Sequence, residues 1–432
     1  MHRRRMTAGI PDHGASARSA APGRTHVTSG AAPGVAAGIV IGALATGMLL
    51  GLPAGRASAQ TAVRIATWNM QDVGAPGSAS YNAALAILNR IRPDTLSINE
   101  VNPISGGDAQ ALANFLSLAG DAGYPHTIFP ATNPLGTLRN AFMSKFPIIT
   151  STIHTAAELS GDASANDITR LIIEATVDVP GDTVPLTLIG EHWKASSGNN
   201  NEFRRAVESI RVAQTVSGPG AACPAFVLAG DMNDVIDTVP HQPDPFVALP
   251  PGLPGSFHLG ADLVAELAGP GIVNNPFFYL ESDAWAGATV LDALQLDGDD
   301  TTHPATNRRI DYVFLSPAML TFAPHAEVYD SADEGLPGGL PKFGSPLPPG
   351  TSATASDHLL VFADVTVPPA GTATDLDGDC DVDGADYAMF QMCFTGPGTT
   401  PAPGCAAADM NGDGAVDMTD FIMLQLAFTG PP

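Results

Sequence analysis

The residues of this 432-residue chain that could do chemistry stand where short apolar runs begin or break off. Asn69 closes the run from Val63, Glu100 closes the run from Thr95, and His192 lies in the run Leu186–Lys194. Ala225–Gly230 gives way to Asp231, Met232, Asn233 and Asp234. Asp311 lies in the run Arg309–Leu315, while Asp357 and His358 open the run to Val367. A short apolar run bounded by turn residues reads as a buried strand. Residues two apart on a strand share a face, so Asp231 and Asn233 would present a carboxylate and an amide together. Glu100 with a second acid could hold a hard divalent cation, most simply Mg²⁺ (or Mn²⁺), through oxygen. Such an ion polarises a phosphoryl oxygen and neutralises developing charge. A histidine moves a proton near neutral pH or, when charged, holds a phosphate oxygen. Asp311 is a candidate to fix the second ring nitrogen of His358, and Asp231 could orient or deprotonate an attacking water. Each residue alone has an ordinary structural reading: Asn69 as a turn residue, Glu100 as a helix cap, His192 as a core histidine.

The elements that must position these groups can be read in order. After the first strand a helix is expected, capped by Ser80, with Leu85, Leu88 and Ile91 on one face and Pro93 ending it. The Thr95 strand and an amphipathic helix over 108–119 follow, and this β-α-β opening implies α/β or layered α+β architecture. Strands are then expected around 127–129, 141–143, 148–154, 168–177 and 186–194, with a helix over 202–216. His192 shares its strand face with Leu186 and Leu188 and so points to the core side. The stretch 235–308 is rich in Pro, Gly and Asp and gives no clear elements.

Charge bounds the partners. The chain carries 19 Lys and Arg against 44 Asp and Glu, a formal net charge of −25. That excludes a passive nucleic-acid coat, which relies on Lys and Arg, but leaves room for a nuclease with a locally positive cleft. Arg139, Lys194, Arg204, Arg205, Arg211, Arg308 and Arg309 lie in or beside the polar strand ends or on the helix after His192. They would face a docked polyanion, or else form ordinary pairs with the acids around them. Asn140, Lys194, Arg205 and Arg309 are the candidate phosphate contacts. Residues 1–59 read as an export signal: Arg3–Arg5 open it, 36–52 is uncharged and apolar, and Ala57-Ser58-Ala59 is a cleavage pattern. An uncleaved anchor is the rival reading. No later run is long enough to span a bilayer.

With these motifs in place, the chain resembles the endonuclease/exonuclease/phosphatase superfamily, the fold of deoxyribonuclease I, exonuclease III and neutral sphingomyelinases. The matching stretches are ATWNMQ (66–71), INEV (98–101), RNAFMSKFPI (139–148), GEHWKA (190–195), AGDMND (229–234), RRIDYVF (308–314) and SDHLLVFADV (356–365), in the family's order. The resemblance implies a four-layer α/β/β/α sandwich with the site at one edge of two packed sheets. It implies that Asn69 and Glu100 serve a metal with Asp357 nearby, and that His192 and Asn233 hold the scissile phosphate. Asp231 then positions the water, and the Asp311–His358 pair transfers protons or stabilises phosphate. Leu138-Arg139-Asn140 stands where apurinic endonucleases carry a Gly-Tyr/Phe-x-Gly segment, which argues against base-excision repair. Gly190 stands where the family usually carries an Asn two residues before its catalytic His, so one of the family's site hydrogen bonds is expected to be missing.

The tail differs in kind. Its last sixty residues hold ten Asp and no Glu, Lys or Arg, and two segments repeat at a spacing of 34. They resemble a dockerin, with paired calcium loops each followed by a helix. The first loop offers Asp375, Asp377, Asp379, Asp381 and Asp386, but Cys380 stands where the sharp turn favours Gly. The second offers Asp409, Asn411, Asp413, Ala415, Asp417 and Asp420 and matches fully. The resemblance implies Ca²⁺ binding and docking onto a cohesin-like protein or cell surface. In an exported protein one disulfide is expected among Cys380, Cys393 and Cys405. The organisation expected is therefore export signal 1–59, an α+β sandwich domain 60–367, linker 368–373 and a small helical calcium-loop domain 374–432. The function expected is that of a secreted, periplasmic or surface metal-dependent phosphodiester hydrolase, a nuclease before a phosphomonoesterase or a sphingomyelinase-like lipid phosphodiesterase. A non-catalytic surface assembly protein is the remaining alternative.

Overall fold

The computed structural model describes residues 61–427 apart from 102–106, 132–134, 136–137, 182, 217–224, 237–244, 283, 321–322, 369–373, 378–381 and 383. The export signal, most of the linker, Cys223, Asp379, Cys380 and Asp381 lie outside the described residues. In chain order the strands are β1 (Thr61–Asn69), β2 (Thr95–Asn99), β3 (His126–Ile128), β4 (Ala141–Ser144), β5 (Ile148–His154), β6 (Ile172–Val177) and β7 (Leu186–His192). Then come β8 (Phe226–Asp231), β9 (Thr289–Val290), β10 (Ala293–Leu294), β11 (Asp311–Leu315), β12 (His325–Tyr329) and β13 (Leu360–Val367). The helices that cover them include α1 (Ala79–Ile91), α2 (Gly107–Ala122), α3 (Ala156–Ser160), α4 (Asn199–Val216), α5 (Ala261–Ala268), α6 (Phe277–Glu281) and α7 (Thr351–Ala355).

The strands form a seven-stranded sheet, β10-β12-β13-β1-β2-β4-β3, and a six-stranded sheet, β5-β6-β7-β8-β11-β9. Side-chain parity assigns the layers. Val63 and Ile65 join Leu186, Leu188, Val227, Ala229, Val313 and Val361 in the core between the sheets. The intervening residues Ala66, Trp68, Leu96, Ile98 and Phe362 face outward onto Ile87 and Leu88 of α1 and Phe115 and Leu118 of α2. On the other outer face Ile189, Leu228 and Phe314 pack on Val212 of α4 and Phe277 of α6. The result is the expected four-layer α/β/β/α sandwich. Strands buried on both faces explain why they read as continuous apolar runs rather than alternating ones.

Several local expectations shift. Helix α1 is capped by Ser78, whose hydroxyl accepts from Tyr81 N, not by Ser80; Arg92 in the left-handed region (φ 53°) then ends it before Pro93. Strand β6 begins at Ile172, and α4 begins three residues before Glu202. The unread stretch supplies α5, α6, β9 and β10. Strand β12, also unexpected, is short and includes His325 and Glu327, so its apolar signal is weak.

The two sheets are tied at one end by Asn99. Its amide donates to Asn140 Oδ1 (2.9 Å) and to Glu191 O of β7 (2.7 Å), and its oxygen accepts from Asp231 N of β8 (2.9 Å). Gly190 allows Ser97 to approach, since a Cβ there would stand 2.7 Å from Ser97 Oγ.

The C-terminal module consists of α8 (Gly384–Cys393) and α9 (Met418–Ala427), joined by a small core of Val382, Phe390, Ala408, Val416 and Leu424. Cys393 pairs with Cys405, which resolves the pairing left open by the sequence and closes the insertion between the repeats.

Replacing Asn99 with Ala removes three buried hydrogen bonds, two of which join the sheets. The expected loss is about 2–4 kcal/mol of stability, read as a lower urea midpoint of the full chain. An unchanged midpoint would show that Asn99 is not the clamp described.

Candidate active site

Register and parity together bring the polar strand ends into one cluster. Asp311 pairs with Asp231 across the antiparallel β11–β8 ladder, His192 pairs with Asp231 across parallel β7–β8, and Asn69 pairs with Asn99 across parallel β1–β2. Asn69, His192, Asp231 and Asp311 each stand two or four residues from an inward-facing core residue, so they continue the apolar inter-sheet layer as a buried polar one.

Asp231 is the centre of the cluster. Its Oδ2 accepts from Asn69 Nδ2 at 2.9 Å, and its Oδ1 accepts from Asn233 N at 2.9 Å. His192 Nε2 stands 3.4 Å and His358 Nε2 3.9 Å from Oδ2. Burial, reinforced by the neighbouring Asp311, pushes the Asp231 carboxyl up to about 7, against the opposing pull of His358 and Asn69. Asp311 Oδ2 accepts from His358 Nδ1 (2.8 Å) and Thr302 Oγ1 (2.7 Å), which places the His358 proton donor and the buried carboxylate in one line of contacts. Burial lowers the affinity of His358 for its proton, but Asp311, Asp231 and Asp357 outweigh it and bring the imidazole up to about 10. His358 is thus an imidazolium at neutral pH. His192 is the opposite case: burial, then Arg170 and His358, hold it well below the usual range, so it is neutral. Neither of its ring nitrogens has a hydrogen-bond partner among the described residues.

Glu100 follows β2 in the left-handed region (φ 59°), a conformation uncommon for a non-glycine residue and found at functional positions. Its Oε1 lies 3.7 Å from His192 Nε2, and Glu100, His192 and Asp231 converge closely enough to share an ion. Asn69 spends its amide on Asp231, while its oxygen accepts from Gln71 N (3.0 Å) and keeps one lone pair for a cation. Asp357, expected near the Glu100 ion, converges instead with His303 and His358. Asn233, also in the left-handed region (φ 51°), donates its amide to Trp193 O at 3.1 Å.

The expected phosphate contacts are mostly braces. Asn140 donates to Leu171 O (2.9 Å) and accepts from Asn99. Arg205 is bound to Asp234 (2.7 Å) and to the carbonyls of Lys194 (3.0 Å) and Ser196 (2.8 Å). Arg309 donates to Leu291 O (2.5 Å) and lies over the Tyr312 ring. Lys194 is half-buried and donates to Ala195 O at 2.6 Å. Arg139 pairs with Asp108, Arg211 with Asp167 and Asp262, and Arg204 donates to Thr169. Of the seven cations grouped in the sequence, Arg308 alone is exposed. Arg139, Arg205, Arg211 and Arg309 are thus in ion pairs, and residues 203–213 of α4, which carry three of the seven cations, are buried.

Sequence reasoning missed three contributors. Arg170 is buried and donates to Trp193 O at 2.6 Å, the carbonyl that also accepts from Asn233. Thr302 and His303 lie in the stretch that gave no elements; the contact of Thr302 with Asp311 and those of His303 with Asp357 and His358 reveal them. A histidine beside a threonine near RRID was the available signal. In the tail, Asp409 accepts from Asp413 N (3.0 Å) and Gly414 N (2.8 Å), and Asp420 accepts from Asn411 N (3.1 Å) and Asp417 N (2.9 Å). Gly412 and Gly414 supply the positive φ the loop requires, and Ala415 N is held by Asp413. In the first loop Asp375, Asp377 and Asp386 converge.

Residues 66–358 match the model of the endonuclease/exonuclease/phosphatase family, and residues 373–428 match that of the dockerin type I domain. No curated protein matches the chain. Among solved structures, an endonuclease/exonuclease/phosphatase from Beutenbergia cavernae is 23% identical, with 71% of this chain and 72% of that chain covered and a TM-score of 0.44. Beta toxin from Staphylococcus aureus is 14% identical over 70% of this chain and 99% of that one, TM-score 0.41. Sphingomyelinase C from Streptomyces griseocarneus is 13% identical over 70% and 99%, TM-score 0.40. On the family match over most of its length and the layered fold described above, the chain belongs to the endonuclease/exonuclease/phosphatase family of phosphoester hydrolases and carries a C-terminal dockerin type I domain.

Proposed function

We propose that this protein is an exported, Mg²⁺- or Mn²⁺-dependent phosphodiesterase that cleaves nucleic acid by in-line attack of water. The observation that carries the reading is the placement of the Asp231 carboxylate between a neutral His192 and a charged His358. Asp231, anchored by Asn69 and by the Asn233 backbone, takes the proton of the attacking water. His358, held by Asp311, presents its Nε2–H and positive charge to a phosphoryl oxygen, a preorganised donor of the kind that stabilises developing charge. His192 offers one neutral N–H from the opposite side, and Asn233 borders the same space. The oxygen donors of Glu100 and Asn69 suit a hard divalent ion; when bound, it would withdraw charge from the phosphoryl group.

The pairing of Arg139, Arg204, Arg205, Arg211 and Arg309 inside the fold favours a second reading, a phosphomonoester or lipid phosphodiester substrate, which needs less surrounding positive charge. The dockerin type I domain supports a secreted or surface setting. Its helices expose Met392 (79%), Met418 (56%) and Ile422 (51%), apolar side chains available for docking on a cohesin-like protein. No helix among the described residues is long and apolar enough to cross a membrane.

Plasmid DNA, RNA, sphingomyelin and a phosphomonoester should be tested side by side, with Mg²⁺ and with chelator. Metal-dependent nicking of DNA or RNA is expected, with Glu100→Gln and His358→Ala each losing on the order of 10²-fold or more in turnover. Near-wild-type turnover in Glu100→Gln would remove it from the metal site, and turnover of lipid or monoester alone would establish the second reading. The pH profile should rise through about 7 as Asp231 loses its proton, because only the carboxylate accepts one, and fall near 10 as His358 loses its charge. A rate flat across neutral pH would exclude Asp231 as the base. Asp413→Ala should abolish the calcium-dependent ordering of the tail, followed by circular dichroism, while hydrolysis continues; a dead enzyme would make the tail part of the catalytic unit.

A further inference from the structure

We propose that His303, Asp357 and His358 form a second metal site, beside the Asp231–Asp311 cluster, for a borderline divalent ion of the Zn²⁺ class. The three side chains each bring a ligand atom within 4.8 Å of the others. His303 Nε2 stands 3.8 Å from Asp357 Oδ2, and the His303 and His358 rings meet at a centroid distance of 4.6 Å. Ligands of a tetrahedral zinc stand roughly 3.4 Å apart, given bonds of about 2.0–2.1 Å. Closing the site therefore asks for shifts of only a few tenths of an ångström along the contact between His303 and Asp357.

The ligands are already oriented. His358 Nδ1 is held by Asp311 at 2.8 Å, leaving Nε2 to the site, and His303 Nδ1 is held by Thr306 Oγ1 at 2.7 Å, leaving its Nε2 likewise. Asp357 Oδ2 accepts from Gln71 Nε2 at 3.0 Å. An imidazole whose second nitrogen is fixed by a carboxylate or hydroxyl is the usual arrangement of a metal-ligating histidine. The loop that carries His303 is tied down as well. Thr302 donates to Asp311 and accepts from Leu359 N at 2.7 Å, and the turn to Arg308 returns through His303 N–Arg308 O at 2.9 Å. Two nitrogens and one carboxylate oxygen form a donor set that favours Zn²⁺ over Mg²⁺, which keeps to oxygen. His303 and Asp357 are partly exposed, so an ion has access and a fourth position is left for water.

Ligation occupies His358 Nε2. On the hydrolase reading given above, an ion seated here withdraws that nitrogen from the phosphate and inhibits, although binding itself does not depend on that reading. The test is equilibrium dialysis of the full chain with Zn²⁺ in excess Ca²⁺ and Mg²⁺, which saturate the oxygen sites, with Co²⁺ as a visible-absorption probe of imidazole ligation. The wild-type chain and Glu100→Gln should each bind one equivalent. His303→Gln should bind at least about 10-fold more weakly with an unchanged circular dichroism spectrum, and Asp357→Asn should follow it. Zn²⁺ should inhibit Mg²⁺-supported turnover in the wild type and not in His303→Gln. Wild-type binding by His303→Gln, no uptake by the wild type, or loss of uptake in Glu100→Gln would each overturn the proposal. The absence of any turnover in the wild type, with uptake intact, would overturn the hydrolase reading instead.

Discussion

Two carboxylates side by side in a buried layer are the constraint around which the catalytic end of the molecule is arranged. The antiparallel register sets Asp231 against Asp311, both almost fully buried. Like charges so placed cannot both ionise unless a cation intervenes. His358 is that cation, and its ring is steered by Asp311 and supported by the Trp68 indole, which donates to the His358 carbonyl at 3.0 Å. Thr302 satisfies Asp311 further, and Asn69 and Asn233 satisfy Asp231. Asn69, Asp231, Thr302, Asp311 and His358 are therefore linked by hydrogen bonds and charge contacts, while both His192 ring nitrogens and Asp311 Oδ1 have no hydrogen-bond partner among the described residues.

The same reasoning explains where the positive charge of the domain went. Arg205 with Asp234 and Arg211 with Asp167 are ion pairs closed off from water, and Arg211 also reaches the partly exposed Asp262. A buried guanidinium without its partner would be strongly unfavourable, so each such arginine requires an acid delivered from a distant segment. Helix α4 is pinned to the loops around Asp167, Asp234 and Asp262 in this way, which fixes the region just beyond His192.

The C-terminal module uses acids differently. Asp409 and Asp420 hold the backbone amides of their own loop, so the second loop has its turn geometry set by local bonds. Its apolar core is small, and the Cys393–Cys405 bond offsets part of that deficit by closing the insertion.

The four layers and the candidate roles were legible only through the resemblance to the endonuclease/exonuclease/phosphatase family. Asn69, Glu100, His192, Asp231, Asp311 and His358 were legible in the sequence as candidates because strand ends are local features, marked by turn residues. The calcium loops were legible for the same reason, since ligand spacing lies within twelve residues. The tertiary structure decided what depends on distant contacts. It paired Arg205 and Arg211 of α4 with Asp234, Asp167 and Asp262, acids that carry no sequence mark of being their partners. It brought Asp357 to His303 rather than to Glu100, and placed Thr302 on Asp311, from a Pro- and Gly-rich stretch with no periodicity to read. It also divided the two histidines of the cleft into one neutral and one charged, since burial and neighbouring carboxylates, not residue type, set where a proton resides.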